Sequence, residues 1–337
     1  MVLLEQMRRT GQPGRPTSLS AWSPEFWQRL ACGDGLTQFL RTAHAPSTIA
    51  AYASQQRQFQ LFCQMLGVPS PQQCFHPDVL AAWVMGRSVH GYKLSTIELG
   101  VHAVCQLARQ HSHSLAITAP SLRTALRAAA RMRGSGPTRK QPLLLHLLLQ
   151  LCSVGEQSWI AARDSAFYAL GWHGMLRGCE VLSLRWADVA VQPQGIILLI
   201  QSSKTDQAGQ GQFVFLHSHA DPRVCPVRCL HRLSCMCPLG CMDGPIFTTH
   251  QHCLQPVSKS TMLNRLPRRL QSMSLPHQLF GLHSLRSGGA TAAAMEQVPE
   301  RLIKVHGRWV SDTVRVYTCA VPEDRWATSL AMGASHA

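Results

Sequence analysis

From Pro46 to about position 134, apolar residues recur at the three- and four-residue spacing of amphipathic helices. Ile49, Tyr52, Phe59, Phe62 and Met65 form one stripe, with Ser47 or Thr48 placed to cap its start and Pro69 and Pro71 to stop it. A second stripe, Leu80, Trp83 and Val84, follows His76-Pro77-Asp78. A third starts at the caps Ser95-Thr96 and carries Ile97, Val101, Val104 and Leu107. A fourth begins near Pro120, with Leu122, Leu126, Ala129 and Met132 on one side and Arg123, Arg127, Arg131 and Arg133 on the other. Beyond it the pattern changes. A leucine-rich helix is predicted over 142–152 and a longer helical region from Trp159 to Leu184. Two aliphatic and aromatic runs, Gly195–Ile200 and Gln212–Leu216, flank the polar turn 206–211 and predict a β-hairpin. The remainder reads as helix. The expectation is a mainly α protein with a small β-sheet (α+β). Its parts are an N-terminal arm over 1–35, a helical domain over 36–134, a Gly- and Pro-containing linker over 135–141 and a second domain over 142–337.

Composition narrows the class. The 337 residues suffice for two cores, and 45% hydrophobic against 15% charged residues is a globular balance. Lys and Arg number 32 against 17 Asp and Glu, a net charge of +15 that suits a partner carrying a dense row of phosphates. The most apolar stretch, Pro142 to Gly155, contains His146 and Gln150 and is too short to cross a bilayer. Met1 to Arg9 does not read as a secretory signal, and the 13 cysteines are expected to be reduced thiols. An intracellular, DNA-associated protein is expected, nuclear if the host is eukaryotic. No acidic residue occurs between Pro120 and Lys140, so the arginine side of the fourth helix together with Arg139 and Lys140 is a candidate phosphate-contacting surface. A solvated helix face has the same pattern.

Five pieces carry the candidate chemistry. Arg177-Gly178-Cys179-Glu180 is followed by Ser203-Lys204-Thr205-Asp206 on the hairpin, His283-Ser284-Leu285-Arg286, Gly307-Arg308-Trp309 and finally Tyr317. Each alone is weak: an Arg with Glu three residues on is most often a helix ion pair. In this order they resemble the tyrosine recombinase (phage integrase) family, and the wording LRSGGATAAA (285–294) and GRWVSDTVRVY (307–317) is similar to recombinases of eukaryotic mobile elements. The resemblance covers roughly residues 140–325 with specific motifs, and 36–134 more loosely.

The resemblance implies a DNA breaking and rejoining enzyme whose nucleophile is Tyr317 and whose intermediate is a 3′-phosphotyrosine. It assigns phosphate-binding guanidiniums to Arg177 and Arg286, a proton acceptor or hydrogen-bond partner to His283, a general acid to Lys204 and a bracing role to Glu180. Residue chemistry agrees. Paired guanidinium donors match the oxygens of a phosphodiester, and a phenol that titrates at roughly 10 needs help to lose its proton. No metal or other cofactor is expected, since cationic side chains supply the charge. The expected partners are double-stranded DNA and further copies of the chain, in a tetramer on a Holliday junction. The family's His or Trp position falls on Arg308, with Trp309 favoured as the phosphate-side contact and His306 a further candidate. A catalytically silent DNA-binding protein of the same fold and a type IB topoisomerase are the alternatives.

Two further segments stand out. Cys225, Cys229, His231, Cys235, Cys237, Cys241, His250, His252 and Cys253 could assemble a zinc site, but their spacings lack paired Cys-x-x-Cys units and favour ordinary thiols. Pro322 to Ala337 reads as a short helix with Trp326, Leu330 and Met332, docked either on its own domain or on a neighbouring copy.

Overall fold

The computed structural model describes residue 28 and residues 45–68, 71–132, 140–152, 158–203 and 210–315. Lys204, Tyr317, Arg133, Arg139, the N-terminal arm apart from residue 28 and the segment 322–337 lie outside the described residues. The chain divides into two compact units, Met1–Pro137 and Thr138–Ala337.

In the first unit the described helices are α1 (Pro46–Met65), a one-turn helix at Pro71–Cys74, α2 (Pro77–Val89), α3 (Leu94–Gln110) and α4 (Pro120–Met132). Their apolar faces meet in a core of Phe59, Trp83, Ile97, Val101, Val104 and Leu122, with Phe59 and Trp83 edge-to-face at 5.4 Å. The stripes are placed well by periodicity but overextended at their ends: Met65 is 89% and Met132 62% exposed. The expected caps also shift. Helix α1 starts with Pro46 after Ala45 and α3 starts after Lys93, neither with a side-chain cap; at α1 a proline occupies the first turn instead. His76 does cap α2, its Nδ1 accepting from the Asp78 amide at 3.3 Å.

The second unit is built around α6 (Trp159–His173), a helix buried on nearly all sides and packed against α5 (Leu145–Cys152), α8 (Pro226–Cys235) and α10 (His283–Met295). The leucine-rich helix therefore starts three residues later than expected. Helices α7 (Gly178–Ser183), α9 (Lys259–Ser272) and α11 (Glu300–His306) complete the helical layer. The predicted hairpin strands are β2 (Gly195–Ile200) and β3 (Gln212–His217), antiparallel with Leu198 opposite Val214. A short β1 (Val189–Gln192) extends the sheet in the order β1-β2-β3. At four residues with a half-exposed pattern, β1 gives too little alternation to be read from sequence. Ile196, Leu198, Ile200, Val214 and Leu216 turn inward to the core, while Phe215 is 66% exposed.

Two glycines explain part of the 285–294 wording. A Cβ on Gly288 would lie 2.0 Å from the Leu143 carbonyl oxygen, and one on Gly289 2.2 Å from that of Trp172. Helix α10 thus lies directly on backbone, and no side chain larger than hydrogen fits at either contact.

Candidate active site

The helical region expected to run from Trp159 to Leu184 is broken. Helix α6 ends at His173, Met175 takes a left-handed φ of 45°, and Arg177 stands in extended backbone as the N-cap of α7. The break has a purpose that periodicity does not reveal. It turns the Arg177 side chain off the helix axis and exposes the Met175 carbonyl to a partner from elsewhere in the chain.

That partner is Arg286. Its Nη1 donates to the Met175 oxygen at 2.5 Å and its Nη2 to the Gly307 oxygen at 2.6 Å, across 111 and 21 residues of sequence. The guanidinium is 1% exposed and lies 4.2 Å from the centre of the Trp309 ring, a cation–π contact. His283 sits one turn earlier on α10 with an exposed edge. Partial burial, and then the charges of Arg286 and Arg177, lower its pKa below the usual imidazole value, so at neutral pH it is uncharged and able to accept a proton. Arg177, Arg286 and His283 therefore share one electrostatic neighbourhood.

Glu180 is the anionic centre of the constellation. Its Oε1 accepts from Arg177 Nη1 at 2.6 Å, and its Oε2 from the Arg177 amide at 2.9 Å and from Arg308 Nη2 at 2.8 Å. Burial by itself would raise the carboxyl, but Arg308 and the Arg177 donors outweigh it and hold the group below the usual carboxylate range. Arg308 also donates to the carbonyls of Gly174 and His306, at 3.3 and 3.2 Å, and keeps a left-handed φ of 58°. Among bulky residues that backbone is uncommon and marks a turn held by its surroundings.

The three candidates for the His or Trp position are thus separated by geometry. Arg308 points inward to Glu180, His306 Nε2 contacts the His173 carbonyl at 2.8 Å, and Trp309 covers Arg286 while itself only 9% exposed. A Cβ on Gly307 would come within 1.7 Å of the Trp309 ring, so Gly-x-Trp is a packing requirement of this turn. Val314, three residues before Tyr317, is buried in the same small cluster as Met175, Ile303 and Trp309. Sequence reasoning missed the Arg308–Glu180 pair. The signal available was an arginine where a histidine is commoner, downstream of a buried-type Glu.

Arg123, Arg127 and Arg131 are exposed on α4, opposite Leu122 and Ala129. Lys140 is exposed and its Nζ donates to the Gln278 carbonyl at 2.5 Å. Among the described residues no group of three or more His, Cys, Asp or Glu could hold a metal ion. Cys225 and Cys229 are buried, and Cys229 donates to the Arg223 carbonyl at 3.2 Å. No helix among the described residues is long and apolar enough to cross a membrane.

No family model matches the chain. Over 268 residues it is 27% identical to an integrase/recombinase, a XerD homolog of Selenomonas ruminantium, with 77% of each chain covered. Over that span the chain is similar to the tyrosine recombinases. Solved recombinases and integrases share its fold. A Tn1549 transposon integrase with transposon right-end DNA matches with a TM-score of 0.62 at 12% identity, covering 89% of this chain and 98% of that one. The XerH site-specific recombinase on its difH substrate gives 0.58 at 17%, covering 86% and 79%. A lambda integrase tetramer on a Holliday junction gives 0.56 at 17%, covering 94% and 84%.

Proposed function

We propose that this chain is a site-specific DNA recombinase that breaks and rejoins strands through a phosphotyrosine on Tyr317. The observation that carries the reading is the convergence of Arg177, Arg286 and His283 around the Met175–Arg177 break, with Glu180 and Arg308 balancing charge beneath them. The scissile phosphate would bind to Arg177, whose side chain is 20% exposed, with the positive charge of Arg286 nearby. Because Arg286 lies under Trp309 and already donates to two carbonyls, a direct bond from it to phosphate requires the Gly307–Trp309 turn to shift. That shift would couple DNA binding to the chain that leads to Tyr317, since Val314 packs in the same cluster.

In the cleavage step the Tyr317 oxygen attacks phosphorus, the bond to the 5′-oxygen breaks, and that oxygen leaves as a hydroxyl after protonation by Lys204. His283, neutral at physiological pH, assists loss of the phenolic proton. One phosphodiester is exchanged for another, so a 5′-hydroxyl of a second strand reverses the step without an external energy source. The partners proposed are double-stranded DNA and three further copies of the chain. Trapping of a covalent adduct on nicked duplex DNA tests the reading. Tyr317→Phe should abolish the adduct while leaving duplex affinity within about twofold, because only the nucleophilic oxygen is removed. An adduct that survives the change would refute the assignment.

A further inference from the structure

At the opposite end of α6 from the catalytic residues, a cleft of about 240 Å³ opens between two matched helical stripes. Helix α9 contributes Arg265, Arg268, Arg269 and Ser272, spaced three, four and seven residues from the first, which places them on one face. Helix α6 answers with Asp164, Ser165 and Tyr168. The charges do not balance. The single carboxylate, Asp164, already accepts from Arg163 Nε and Nη2 through Oδ1, at 3.0 and 2.8 Å, and from Arg265 Nε through Oδ2 at 2.5 Å. Among the described residues, Arg268 and Arg269 have no ion-pair partner. Tyr168 lines the cleft; its hydroxyl is buried with no hydrogen-bond partner, and the residue is 2% exposed. Burial, and then the Asp164 charge, push that phenol above its ordinary value, so it is a committed donor rather than an acceptor of charge.

An unbalanced pair of guanidiniums over an orphaned buried hydroxyl is a set of donors lacking its acceptor. We propose that this cleft binds a phosphate group, with Arg268 and Arg269 as charged donors at the rim and Tyr168 as the buried donor. The phosphate comes from a nucleic-acid backbone or from a free anion; both present the same oxygens. Arg265, fixed by Asp164, supplies a preorganised wall. The site does not depend on the recombinase chemistry. It lies on the same helix that ends at the catalytic break, so an occupant would brace α6 against α9.

Titration calorimetry of the full chain with pyrophosphate tests the proposal. Arg268→Gln/Arg269→Gln should weaken binding at this site roughly tenfold or more, and Tyr168→Phe about fivefold, since a charge-assisted bond outweighs a neutral one. The charge-matched control Arg57→Gln/Arg109→Gln, both exposed and neither lining the cleft, should leave pyrophosphate affinity unchanged. A wild-type chain that takes up no pyrophosphate at millimolar concentration, or an arginine double variant that binds with wild-type affinity and stoichiometry, would overturn it. The salt dependence of duplex binding separates the sources. A slope flattened by about 0.9 per phosphate released in the Arg268/Arg269 variant assigns the site to DNA, and an unchanged slope with abolished pyrophosphate binding assigns it to a free anion.

Discussion

The two units use arginine in opposite ways. In the first, Arg123, Arg127 and Arg131 stand exposed on α4 over a core of ordinary apolar packing. In the second, Arg163, Arg286 and Arg308 are buried at 2%, 1% and 8% exposure, each held by backbone carbonyls or a carboxylate. An exposed arginine can be replaced with little effect on folding, because water takes over its partners. A buried one cannot, since its removal leaves acceptors without donors in a medium that does not solvate them. The second unit therefore ties stability to its candidate chemistry, and the first unit keeps them apart.

The largest effect should come from Arg286→Ala. It removes positive charge from the phosphate site and leaves the Met175 and Gly307 carbonyls unpaired. Cleavage of a nicked substrate should fall by about 100-fold or more, together with a lower unfolding midpoint. A variant that cleaves at near wild-type rate would break the proposed role.

Next is Arg308→Met, which strands Glu180 with one cationic partner instead of two. Loss of about 3 kcal/mol of stability is expected, the size associated with breaking a buried ion pair. Adding Glu180→Gln should restore part of it, because a neutral amide tolerates burial better than an unbalanced carboxylate. Denaturant unfolding of the two single variants and the double variant measures the coupling. Strict additivity would show that the 2.8 Å contact contributes nothing.

How far the sequence predicts the molecule differs between the units for the same reason. Helices α2, α3 and α4 face the core as their periodicity requires, so Leu80, Val84, Ile97 and Val101 are buried where expected. The candidate site forms where periodicity is interrupted, at Met175–Arg177 and Gly307–Trp309, and both breaks contain a non-glycine residue at positive φ. Local spacing carries no signal for such a break, because the contacts that hold it come from residues more than a hundred positions away. Motif order still identified Arg177, His283 and Arg286 as one group, since chemistry restricts residue type even where geometry is not local. Arg265, Arg268 and Arg269 are not singled out by spacing, because their significance depends on the partner stripe of α6 across the cleft.

A moderate effect is expected from pH. Burial, then the neighbouring His219 and His306, push the His173 imidazole down to about 4 in the folded chain. In the unfolded chain it protonates near roughly 6.5. Between these values the unfolded state binds more protons, so stability falls as pH drops from about 6.5 to about 4 and this contribution levels off below that. His173→Gln should flatten the slope in urea unfolding measured from pH 7 to 4.5. His306 and His283 are shifted in the same direction and would retain the rest. An unaltered slope would mean that His173 is not held neutral by the fold.

The smallest effect on folding, and the sharpest contrast with the buried arginines, should come from Arg123→Gln, Arg127→Gln and Arg131→Gln combined. All three side chains are exposed and none takes part in an ion pair among the described residues, so the unfolding midpoint should move little. If they meet DNA phosphates, affinity should fall on every duplex alike, because phosphates carry no direct sequence information. The plot of log affinity against log salt should flatten by up to about 0.9 for each phosphate no longer neutralised. Cleavage of saturated substrate should be preserved, since Arg177, His283 and Arg286 belong to the other unit. The measurement is a salt titration on two unrelated duplexes with wild-type and triple-variant chains. An unchanged slope would make this face a solvated surface and leave the helical unit without its proposed phosphate contacts. A loss of affinity confined to one duplex would instead assign at least one of the three to base or shape reading, and the exposed arginines would then be as specific as the buried ones.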